Sequence, residues 1–180
     1  MNANHDSNIQ GLSPAKQGPS IDPYLQKLAE EEYQEELALL REYARRHPDS
    51  ESAKANSHVL GSGEDTWHCA GSIEMAGVAW WALSVQMLFP PPNVRVFSAA
   101  GGPSWAASAF VASIVGSFAV PPEELQRGRY RFSLGQATFK VGGLRFALYD
   151  MNRKFLGVCA GVAAGAGIAS LTGEGNLTLG

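Results

Sequence analysis

Cysteine is nearly absent: Cys69 and Cys159 are the only two in 180 residues, and neither sits in a C-x-x-C pair. A disulfide-built scaffold is thereby excluded, and both are expected to be small buried apolar residues. Histidine is scarce too. His5, His47 and His58 fall in the tail, a helix end and a linker, which leaves His68 as the one histidine of the folded part. Its neighbour Cys69 would point to the opposite face of a strand, so the two cannot act together as nucleophile and base. No metal-ligand spacing, G-x-S-x-G, P-loop or G-x-G-x-x-G is present, and "GAGIAS" lacks the final glycine. These absences predict a protein that is not an enzyme and needs neither cofactor nor metal.

Positive charge is also in short supply. Residues 1–61 carry six Lys/Arg against ten Asp/Glu, and residues 62–180 carry eight against seven, for a net charge of −3. Nucleic acid is therefore not an expected partner. The first twenty residues, "MNANHDSNIQGLSPAKQGPS", lack the basic start and apolar core of a secretory signal. The expected location is the cytoplasm, or outside by a specialised route. That stretch offers little to bury and is expected to be a disordered tail, residues 1–20.

What is present begins with "DPYLQKLAEEEYQEELALLREYARRHP". Asp22 suits an N-cap and Pro23 the first helical position. Leu25, Ala29, Tyr33, Leu37, Leu40 and Ala44 recur at steps of three and four. Arg41, Arg45 and Arg46 fall late, and Pro48 ends the pattern. The spacing predicts an acidic amphipathic helix over 21–47 that docks on its own domain or on a second copy. Residues 48–61, "PDSESAKANSHVLG", continue in a composition that reads as a linker.

From residue 62 onward short apolar runs alternate with glycine and proline. Tyr130, Phe132 and Leu134 face one way in "RGRYRFSL" while Arg129, Arg131 and Ser133 face the other, and Leu144, Phe146 and Leu148 repeat the period of two. Three stretches compete as membrane helices: "MAGVAWWALSVQMLF", "WAASAFVASIVGSFAV" and the uncharged ending from Phe155 to Leu171. They are fifteen to seventeen residues long, at or below the short limit of roughly 17–25 for spanning a bilayer. Laid without a gap over 154–179, residues 95–120 agree in layout: Gly102 falls on Gly161, Ala107 on Ala166 and Gly116 on Gly175. Duplicated halves share a conformation, and Arg129, Arg131, Lys140 and Arg145 interleave at strand spacing in the second half. The ending is therefore expected to be two strands.

Eight strands in two four-stranded units predict an all-β domain over 62–180, a compact antiparallel barrel that leaves no edge exposed. A barrel of that size is filled by its own side chains, with Trp80, Trp81, Phe132, Phe146 and Leu148 as candidates. Glu123 and Glu124 after Pro121-Pro122 read as a turn. Arg127, Arg129 and Arg131 alternate along one strand and would line one face, either solvated or set against an anionic surface.

The run "GGLRFALYDMNRKFLG" followed by "GAGIASLTGEGNL" resembles the C-terminal half of the virulence-associated (Vap, VapA-like) proteins, secreted by actinobacteria that live inside macrophages. The resemblance rests on Gly143, Phe146, Tyr149, Leu156-Gly157, Gly165-Ala166-Gly167, Thr172-Gly173 and Gly175. It implies a barrel of two Greek keys after a flexible N-terminus, without catalytic residues. It also implies a role in host interaction, as an effector acting on a membrane, through anionic lipid, or on a host protein. The acidic helix and the missing signal depart from that pattern. The alternatives are an intracellular barrel that binds a small apolar ligand or a protein partner, and a small helical membrane protein.

Overall fold

A computed structural model describes residues 22–61, 65–77, 80–91, 93–102, 109–136, 142–165 and 170–180. The expected disordered tail, residues 1–20, lies outside them. Helix α1 spans Pro23–Arg46. Asp22 caps it, its side chain accepting from the Tyr24 N–H at 2.8 Å, and Pro23 occupies the first turn as its fixed φ allows. Two short helices, α2 (Glu51–Ala55) and α3 (Ser57–Leu60), follow.

Eight antiparallel strands come next: β1 (Trp67–Gly77), β2 (Trp81–Phe89), β3 (Asn93–Gly101), β4 (Phe110–Phe118), β5 (Gly128–Gln136), β6 (Gly143–Tyr149), β7 (Phe155–Gly165) and β8 (Leu171–Leu179). They close into a barrel in the order β1-β2-β3-β8-β5-β6-β7-β4. Each half contributes one quartet, β4-β1-β2-β3 and β8-β5-β6-β7, with the fourth strand lying beside the first. The gapless overlay of the two halves thus sets β3 on β7 and β4 on β8. The ending of the chain is strand, and no helix among the described residues is long and apolar enough to cross a membrane.

Alternation decides the interior. Tyr130, Phe132 and Leu134 point inward, as do Leu144, Phe146 and Leu148, and all six are buried. Phe97 sits 5.4 Å from both Phe132 and Phe146, those two rings stack at 6.0 Å, and Trp81 meets Phe132 edge-on at 5.9 Å. Each buried ring contributes about 1.5–3 kcal/mol by leaving water, and each ring pair about 0.5–1.5 kcal/mol more. Trp80 departs from expectation: it is 73% exposed. Consecutive residues in extended chain face opposite ways, so only one of Trp80 and Trp81 can enter the core.

Two glycines that the overlay equates make room for this packing. Gly116 on β4 lies between Cys69 on β1 and Cys159 on β7, and a Cβ there would stand 2.7 and 2.8 Å from their sulfurs. Gly175 on β8 leaves space for the Phe97 ring. Both cysteines are free and fully buried. The Cys69 thiol beside it, and then burial, push the Cys159 thiol well above its ordinary range, so that sulfur is not a ready thiolate.

Candidate functional surface

Helix α1 lies across the outside of β4 and β7. Leu28 and Ala29 meet Val115 and Ala160, while Tyr33 and Leu37 meet Ala147, Phe155 and Val158. This is the apolar stripe read from the sequence, docked on its own barrel. Beside it runs a second stripe absent from that reading. Glu32 and Glu36, one turn apart, are buried, and both reach Arg145 on β6. Glu32 stands 3.4 Å from the guanidinium, and Glu36 forms the closer ion pair. Tyr149 donates its hydroxyl to Glu36 at 2.7 Å. Burial first, then the Glu36 carboxylate, push the Tyr149 hydroxyl far above its ordinary range. Two carboxylates, one guanidinium and one phenol therefore clamp the helix to the barrel, because a buried charge must be paired to be tolerated.

The segment read as a linker is pinned down as well. Asn56, buried at 1% exposure, accepts from the Phe155 N–H at 2.7 Å and donates to the Arg153 carbonyl at 3.0 Å, as a neighbouring strand would. A ring nitrogen of His58 lies 3.2 Å from the Phe155 carbonyl. Residues 48–61 thus form two helices held on the start of β7, which corrects the linker reading. The composition is polar because only one side of the segment is covered.

The arginine stripe is split. Strand β5 begins at Gly128, so Arg127 precedes it, exposed in a bend. Arg129 and Arg131 share the outer face as expected, but Glu174 on the adjoining β8 pairs with both, at 2.5 and 3.5 Å. Arg95, not singled out by the sequence, is buried on β3 and donates to the carbonyls of Leu125, Pro122 and Val94 at 2.8, 2.8 and 3.1 Å. It fixes the β4–β5 connection, where Pro122–Glu124 forms a single 3₁₀ turn as the two prolines suggested.

One pair combines a hydroxyl with a possible base. His68 Nδ1 lies 3.3 Å from Ser117 Oγ across the β1–β4 ladder. Ser117 is 2% exposed and cannot meet a substrate in this arrangement. Sequence reasoning could not find the pair, since 49 positions separate its members. Among the described residues several open clefts mark the outside. A trough of about 790 Å³ runs over Glu74, Ala82, Ser84, Ser98 and Ala100, and a second of about 700 Å³ lies among Tyr43, Ser52, Arg131 and Arg153.

The fold and surface define a closed eight-stranded antiparallel barrel with a packed interior and a helix clamped to its wall. No protein-family model matches the chain, and no curated protein matches it. Among solved structures it is similar to the virulence-associated protein VapB from the intracellular pathogen Rhodococcus equi, with 15% sequence identity and a TM-score of 0.44, over 66% of this chain and 98% of that one. At that level no function is transferred through the likeness.

Proposed function

We propose that this protein is a non-enzymatic barrel of the virulence-associated kind, acting in host interaction through its outer surface, at a membrane or on a host partner. The observation that carries the reading is the filled interior: Phe97, Phe132 and Phe146 occupy the space in which a ligand-binding barrel would hold its ligand. That favours surface action over the alternative of a small-ligand carrier. Each quartet has its fourth strand beside its first, an order that supports the Greek-key reading the sequence resemblance implies. Arg127, Arg129 and Arg131 are one candidate contact with anionic lipid or an acidic partner, and such a partner would compete with Glu174 for two of them.

The test is to give purified protein to cultured macrophages and follow lysosomal volume and pH. A change retained by the His68→Ala and Ser117→Ala variants supports the reading. A change that either variant abolishes with its thermal midpoint intact would assign chemistry to that pair and overturn it, and so would no change with the wild type.

A further inference from the structure

The cleft of about 700 Å³ beside α2 gathers positive charge that its surroundings only partly neutralise. Arg131 reaches its lining from β5 and Arg153 from the β6–β7 turn, while Tyr43, Ser52 and Asn152 add two hydroxyls and an amide. Among the described residues those three side-chain groups have no hydrogen-bond partner, so each can donate to a ligand. Glu51, exposed in the first turn of α2, is the carboxylate on the lining. Two guanidiniums against it leave the cleft net positive.

Arg131 is an incompletely paired cation. Its Nε is covered by protein and bonded to nothing among the described residues. Its terminal nitrogen stands 3.5 Å from Glu174, whose carboxylate Arg129 already holds at 2.5 Å. One carboxylate thus serves two guanidiniums, and a half-buried cation left short of acceptors gains from an added anion.

Arg153 is placed for the same role. Its φ is 65°, in the left-handed region that residues with a side chain seldom enter. The turn that holds it there is fixed from several sides. Asp150 Oδ1 accepts from the N–H groups of Asn152 and Lys154 at 2.7 and 2.8 Å, the Arg153 N–H donates to the Asp150 carbonyl at 3.1 Å, and Asn56 donates to the Arg153 carbonyl. Asp150 is thereby committed to the backbone, Lys154 is drawn to Glu124 at 3.6 Å, and among the described residues no carboxylate pairs with Arg153. Glycine or asparagine would adopt this φ with less strain, so the position favours arginine for its charge and not for its backbone.

From this donor set we propose that the cleft binds a phosphomonoester carried on a small polyol, with Arg131 and Arg153 taking the phosphate oxygens and Tyr43, Ser52 and Asn152 the hydroxyls of the carrier. Guanidinium forks match phosphate oxygens two at a time. A cleft of this volume lies within the range of small-molecule sites, about 300–1,000 Å³, and exceeds what bare phosphate needs. Its anchored turn and strand lose little freedom on binding. The site goes beyond the host-interaction reading above and does not rest on it.

The experiment is amide NMR of the full isotope-labelled chain at low salt, titrated with glucose 6-phosphate, with inorganic phosphate and with glucose. Glucose 6-phosphate should shift Ser52, Arg131, Asn152 and Arg153 saturably, inorganic phosphate the same arginines more weakly, and glucose none of them. Arg131→Gln and Arg153→Gln should each weaken the sugar phosphate about ten- to a hundredfold. Glu51→Gln should tighten it about two- to fivefold by removing the opposing charge, and Arg127→Gln, outside the cleft, should change nothing. Arg153→Gly separates binding from folding: relief of the backbone should hold or raise the thermal midpoint while affinity falls. Flotation with phosphatidylcholine vesicles containing phosphatidylinositol 4-phosphate distinguishes the source of the phosphate. Flotation that Arg153→Gly abolishes, without shifts from glucose 6-phosphate, keeps the site and assigns it to a lipid headgroup. Undiminished binding by the Arg131 and Arg153 variants, unsaturated shifts scattered over Arg41, Arg127 and Arg129, or no response to either form of the phosphate overturns the inference.

Discussion

Replacing Arg145 by Met tests the helix clamp at its weakest point. Glu32 is 0% exposed, the side chain of Glu36 10% and that of Arg145 16%, so solvent cannot take over the guanidinium's role. Without it two carboxylates remain under α1 with the Tyr149 hydroxyl as a neutral donor. Removing one partner from a buried ion pair costs about 3–5 kcal/mol. For a folded chain of this size that corresponds to a midpoint lower by roughly 6–20 °C. Differential scanning calorimetry at neutral pH reads the shift, and hydrogen exchange should report earlier opening of α1 than of β4 or β7. Removing all four polar groups together, Glu32→Leu, Glu36→Met, Arg145→Met and Tyr149→Phe, should restore most of the loss, because the penalty comes from unpaired charge. A single variant that loses less than about 1 kcal/mol would place the network among exposed salt bridges and refute the reasoning.

Other consequences are measurable on the same chain. The Tyr149 phenol keeps its proton in the folded state well above 10.0, the ordinary value. That preference is fully present below the unfolded value and is lost as pH rises beyond it. Stability should therefore fall above about pH 10 by about 1.4 kcal/mol per pH unit for this group; denaturant melts of Tyr149→Phe should show a shallower slope, and an identical slope would contradict the buried phenol. Asn56→Ala, which loses its bonds to Phe155 and Arg153, should cost about 1–3 kcal/mol in chemical denaturation; no loss would return residues 48–61 to the status of a linker. Gly116→Ala should cost about 1–3 kcal/mol by overpacking, with part recovered in Gly116→Ala/Cys69→Ala, and additive melts would deny the close approach. Ellman's reagent should find no reactive thiol until the chain unfolds, so rapid native labelling of Cys69 or Cys159 would show that the barrel wall opens.

Much of the architecture was legible because it depends on periodicity. Alternation in "RGRYRFSL" and "LRFALYD" placed six inward side chains correctly, and the overlay of Gly116 on Gly175 picked out two glycines that each admit an aromatic or sulfur neighbour. Asp22 and Pro23 marked the helix start to the residue. What escaped depends on contacts distant in sequence. Glu32 and Glu36 sit on the flank of the apolar stripe and look like part of an acidic solvent face. Only the arrival of Arg145, 109 positions beyond Glu36, explains their burial. Glu174 intervenes between Arg129 and Arg131 for the same reason: strand neighbours are set by the closure of β5 on β8, which local pattern does not encode. Asn56 resembles any linker asparagine until β7 passes beneath it. Trp80 and Trp81 are both candidates for the interior on composition, but the alternation that serves elsewhere permits one, and Trp80 is exposed.

The central claim is that the barrel works from its outside because its inside is full. Backbone amide NMR of the isotope-labelled full chain, titrated with phosphatidylcholine bicelles and separately with a long-chain fatty acid, tests it most directly. The account predicts that the fatty acid leaves Phe97, Phe132 and Phe146 unmoved, and that any shifts the bicelles cause fall on outward-facing residues. Saturable shifts of Phe97, Phe132 and Phe146 with the fatty acid would make the protein a hollow carrier and contradict the account.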